Sequence, residues 1–83
     1  MKIELVEWVD SRAILAEWMD AVEVASTTMD TLLTVGFVAS ENDERIILVS
    51  GHDPHMERYC GGLLIPKSAI VKRQRLAHRE EKR

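Results

Sequence analysis

A single cysteine, Cys60, leaves the chain no partner for an internal disulfide, so the fold has to be held by packing and hydrogen bonding alone. Long apolar runs are missing as well. The most apolar stretch, "TLLTVGFVAS" at 31–40, is interrupted by Thr34 and Gly36 and falls well short of the ~20 residues a membrane helix requires. No positively charged segment leads into an apolar run near the N-terminus, as it would in a secretory signal. Together these absences predict a cytoplasmic protein that makes no membrane contact. Glycine is sparse, and the pair Gly61-Gly62 lacks the residues that would make it a phosphate-binding loop.

What is present is an ordinary globular composition, 46 % apolar and 30 % charged, without repeats or biased segments, so the chain is expected to fold. Its 83 residues make one domain. A chain this short buries only about 60 to 65 % of the surface its unfolded form exposes, and assembly into a homo-oligomer would add to a thin margin of stability. The net charge of −3 is unevenly spread. Residues 1–66 hold 12 acidic and 4 basic side chains, whereas 67–83 hold 7 basic and 2 acidic. An acidic body repels phosphate backbones, which confines any nucleic-acid contact to the C-terminal end.

Along the chain, "KIELVEWV" at 2–9 combines β-branched and aromatic residues with charges and predicts a first strand. A short helix is expected between 12 and 26. In one reading Ser11 caps it and Ile14, Leu15, Trp18, Val22 and Ala25 form its apolar stripe; in the other, Trp18 lies in an extended piece and Asp20 caps a single turn. "TLLTVGFVAS" and "ERIILVS", joined by "ENDE", predict an antiparallel hairpin, because Asn42 and Asp43 tolerate tight-turn geometry. Both runs are apolar on both faces, which predicts a central pair covered on each side. Gly36 in mid-strand predicts a bulge, a bend or a close backbone approach.

"GHDPHMERYCGG" at 51–62 is bounded by turn residues and reads as a long loop, the usual seat of binding residues. Next, "GLLI" stops at Pro66, which has no N–H to give to a ladder, "KSA" fits one 3₁₀ turn, and "IVKRQRL" resumes as a strand. A strand, one 3₁₀ turn and a last strand is how small SH3-like and Sm-like barrels finish. The fold expected is therefore mainly β: a small SH3-like or Sm-like barrel of about five antiparallel strands with one short helix over 1–76, followed by a frayed basic tail at 77–83.

Certain anchors, Trp8 to Ser11 ("WVDS"), Trp18, Thr34 to Phe37 ("TVGF") and Ile65 to Ile70 ("IPKSAI"), form a pattern that resembles a set of small uncharacterised phage and prophage proteins. The resemblance implies a viral origin, a place in the host cytoplasm and a partner in the bacterial host or the virion. It implies no chemistry and assigns no site residue.

Residues that could carry chemistry are few. His52, His55 and Cys60 are zinc-ligand types, but three ligands from one loop do not close a structural site, and no metal or other cofactor is expected. The same residues could form a thiol–imidazole pair, yet a barrel this small has little depth for a substrate cleft, and the protein is expected not to be an enzyme. A lone cysteine is more often a buried apolar residue, and Trp8 and Trp18 are more often core than contact surface. The expected function is a non-catalytic binding module that engages a host protein or assembles with itself through His52, His55, Glu57, Arg58 and Tyr59. The alternatives are nucleic-acid contact through Lys72, Arg73, Arg75 and Arg79, and capture of a small ligand at an oligomer interface.

Overall fold

The computed structural model describes residues 1–11 and 18–77. Its elements are β1 (Ile3–Val9), α1 (Ala21–Ser26), β2 (Thr31–Glu41), β3 (Arg45–Val49), β4 (Gly51–Asp53), β5 (Arg58–Cys60), β6 (Leu63–Pro66), a 3₁₀ turn at Lys67–Ala69, and β7 (Ile70–Leu76). Five strands form one antiparallel sheet in the order β6-β3-β2-β1-β7, and β4 and β5 form a separate two-stranded ribbon. The fold is mainly β, with its sheet made as the hydrophobic alternation predicts. β1 shows that alternation most clearly: Glu4, Val6 and Trp8 are buried, and the residues between them are half-buried.

The hairpin forms at the predicted place. Asn42 holds its tip, its Oδ1 accepting from the backbone N–H groups of Glu44 and Arg45 at 2.9 and 3.0 Å. β2 is the middle strand and serves two partners in succession. Its first part pairs with β1, from Val9↔Thr31 to Ile3↔Phe37, and its second part pairs with β3, from Phe37↔Val49 to Glu41↔Ile46. Where it changes partner, the ladder with β3 is irregular between Val38 and Ser40. A β-carbon on Gly36 would lie 3.0 Å from the Val49 carbonyl oxygen and 3.2 Å from Leu48 Cβ, so glycine is what allows β3 this close.

The connection at Pro66 forces the sheet to curl. β6 and β7 are its two edges, and in a flat sheet they would stand roughly 19 Å apart, four strand spacings. The four residues from Pro66 to Ile70 reach at most about 14 Å when fully extended, and less when wound into a 3₁₀ turn. Curling alone brings the two ends within reach, although β6 and β7 do not pair and the sheet stays open. Its concave face holds the core, Val6, Trp8, Ile46, Leu48 and Ile65, with Val38, Leu63 and Ile70 packed against it. Trp8 Nε1 donates to Thr34 Oγ1 at 2.9 Å, which satisfies the one polar atom of this core tryptophan.

One open choice is resolved and two expectations are corrected. The helix begins at Ala21 with Asp20 as its N-cap, Asp20 Oδ1 accepting from Glu23 N at 2.8 Å, so the single-turn reading holds and Trp18 precedes the helix; Ile14 and Leu15 lie outside the described residues. No residue of α1 is buried, and Trp18 is 92 % exposed, so it is not core. The central hairpin is covered on one face only. The outward side chains of Leu33 and Val35 are 68 % and 57 % exposed, because no element of the described chain lies over them.

Candidate functional site

Residues 51–62 do not form an irregular loop. They fold as the β4–β5 ribbon, with Gly51↔Cys60, His52↔Tyr59 and Asp53↔Arg58 in register. The three-residue strands are too short to show an alternation, which is why the stretch reads as a loop in sequence. Asp53 builds the turn between them, its Oδ1 accepting from the backbone N–H of His55 at 3.0 Å and of Met56 at 3.3 Å, the local bonding that favours Asp in turns. Glu57 closes the turn with a φ of 53°, in the left-handed region. Where the ribbon meets the sheet, Ser50 N donates to the Cys60 carbonyl at 3.0 Å.

The ribbon presents a side-chain surface. The His52 and Tyr59 rings stack across it, centroids 4.9 Å apart and planes within 9° of parallel. Asp53 and Arg58 face each other at 3.6 Å, the arginine largely in solvent and the aspartate half-buried. These four, with Gly51 and Cys60, line an open recess of about 460 Å³. His52 Nε2 is enclosed and has no hydrogen-bond partner among the described residues. Gly51 leaves the space that Cys60 Sγ occupies, since a β-carbon there would meet the sulfur at 2.6 Å. Cys60 itself is exposed rather than buried.

Of the five predicted binding residues, the structure joins His52, Arg58 and Tyr59 at the recess and leaves His55 and Glu57 on the exposed turn beyond it. Gly51, Asp53 and Cys60 line the recess too, and the sequence pattern singles out none of them as a binding residue. Among the described residues, no three His, Cys, Asp or Glu side chains are grouped so as to hold a metal ion.

The predicted basic patch is divided. Arg73 turns inward and is shared by two carboxylates: Nε and Nη2 donate to Glu4 at 2.6 and 2.9 Å, and Nη1 and Nη2 donate to Glu41 at 3.0 and 2.8 Å. Lys67 Nζ reaches Glu41 at 2.8 Å from the 3₁₀ turn. The hydrogen bonds from Arg73 and Lys67 hold the Glu41 carboxyl down at about 2, and the two carboxylates raise the Arg73 guanidinium further above its ordinary value. Arg73 is therefore committed to the fold. Lys72 and Arg75 remain exposed on β7, and Arg79 lies outside the described residues. No helix of the described chain is long and apolar enough to cross a membrane.

In comparisons with protein-family models, with curated proteins and with solved structures, the chain matches none. The arrangement of its own side chains is what bears on function.

Proposed function

We propose that the protein is a non-catalytic binding module, a curled sheet of the SH3-like or Sm-like kind whose β4–β5 ribbon engages a protein of a bacterial host. The observation that carries the reading is the His52–Tyr59 stack at the recess, with the Asp53–Arg58 pair beside it. Tyr and Arg are among the side chains that most often dominate protein interfaces, and rings already held against each other lose little freedom when a partner covers them. The barrel-like architecture draws support from the 3₁₀ turn that joins the two sheet edges. The likeness of the "WVDS", "TVGF" and "IPKSAI" segments to phage and prophage proteins supports a host partner.

The test is capture from a bacterial lysate by the immobilised protein, alongside Tyr59→Ala and Arg58→Ala variants. A partner that docks on the ribbon is retained by the unmodified protein and loses roughly tenfold or more in affinity with either variant, the scale of an interface hot spot. Undiminished retention by both variants refutes the ribbon as the docking surface.

A further inference from the structure

Among the described residues, the first part of β2 pairs with β1 on one side and with no strand on the other. Val38 N donates to the Lys2 carbonyl at 2.8 Å, which turns the even-numbered backbone groups of β2 toward β1. Strand alternation then points the N–H and C=O groups of Thr31, Leu33 and Val35 to the opposite side. β3 pairs with β2 only from Phe37 onward, and β4, although it stays close to β2, pairs with β5, so among the described residues no strand takes up those groups.

Natural sheets guard their edges with charge, proline or a covering element. The outer edges of this sheet are so guarded, β6 by Pro66 and β7 by Lys72 and Arg75. The open part of β2 is not, since "TLLTVGF" at 31–37 has neither charge nor proline. The chain leading into it carries exposed apolar side chains among Asp20, Glu23 and Asp30, and the strand's outward face is uncovered among the described residues. Trp18, Val22, Val24, Met29, Leu33 and Val35 are each 56 to 92 % exposed. Their exposed area is on the order of the 800 Å² that one partner contributes to an interface of standard size.

We infer that this surface is covered by a second copy of the chain, the β2 edges of two protomers pairing antiparallel across a two-fold axis. Such an edge is complementary to itself: under a two-fold rotation each donor of one copy meets an acceptor of the other, so one patch serves both sides. The absence of charge on 31–37 removes the like-charge repulsion that self-pairing would otherwise incur. The exposed apolar side chains of Trp18, Val22, Val24 and Met29 then pack on the partner. The edge shares no residue with the β4–β5 ribbon, so the inference stands or falls independently of the binding role proposed for that ribbon.

Native mass spectrometry and light scattering at concentrations on the order of 100 μM decide the matter. The expected mass is twice the 9.5 kDa of the chain. The double variant Leu33→Lys, Val35→Lys is expected at the single-chain mass with its β-sheet circular dichroism retained, and Leu64→Lys, on the exposed face of edge strand β6, is expected to stay dimeric. Amide exchange provides a readout without substitution: the N–H groups of Leu33 and Val35 are protected at high concentration and lose at least tenfold of that protection on dilution to monomer. A monomeric unmodified chain at that concentration, a dimer broken by Leu64→Lys but not by the double variant, or rapid exchange at Leu33 and Val35 in the dimer overturns the inference.

Discussion

Arg73 shows how one side chain can fasten a curled sheet. It lies on β7 opposite Val6 of β1, yet its fork also reaches Glu41 at the far end of β2, so it ties the start of the curl to its finish. Glu4 is 5 % exposed, and a carboxylate taken that far out of water needs a fixed cationic partner, which a bidentate guanidinium supplies. In sequence Arg73 is one of several basic residues near the C-terminal end. Its acidic partner Glu4 stands 69 positions away, a separation no local pattern spans. The same network predicts a pH dependence. The Glu41 carboxyl, held at about 2, binds its proton less readily in the folded chain than in the unfolded chain. The stability it contributes is thus fully present above the ordinary carboxylate range, near 4.3, and is lost as pH falls from there toward about 2. Urea midpoints measured through that window are expected to fall with acidification, and to fall less steeply in Glu41→Gln; identical slopes would remove Glu41 from the account.

At the scale of elements, the strands were legible because their side chains carry the alternation and their ends carry turn chemistry. β1, β2, β3, β6, the 3₁₀ turn and β7 lie where the pattern puts them. The ribbon is not legible as structure because three residues cannot display a period, and because its strands are held by Asp53 and the His52–Tyr59 stack rather than by an apolar face. α1 was half legible: Asp20 is a recognisable cap, but the apolar spacing around it suggested a face packed on the core, and none of its residues is buried. Gly36 in mid-strand implies a bulge, a bend or a close approach, and its position against the Val49 carbonyl is of the last kind. Gly36→Ala is accordingly expected to lower unfolding stability by about 1–3 kcal/mol, the usual cost of forcing atoms into a filled site. Chemical denaturation measures it, and an unchanged midpoint would show that β3 can move aside freely.

For the whole molecule, the notable property is the uneven burial of its large apolar side chains. Trp8 is 7 % exposed in the core while Trp18 is 92 % exposed, although each sits in a run with apolar neighbours. Fluorescence quenching separates them. At high dilution acrylamide is expected to reach one of the two tryptophans readily and the other poorly, and Trp18→Phe is expected to abolish the accessible fraction. Two equally protected tryptophans under those conditions would contradict the exposure of the segment before β2.

By itself the sequence determined the mainly-β character, the hairpin at "ENDE" and the corner at Pro66, because alternation, turn residues and a missing N–H act over a few neighbouring positions. Only the tertiary structure decided which tryptophan is buried, that Arg73 is tied to Glu4 and Glu41, and that β2 keeps an unpaired apolar edge. Those outcomes depend on which distant strands meet and where a pairing stops, and contacts of that range are set by the curl of the whole sheet.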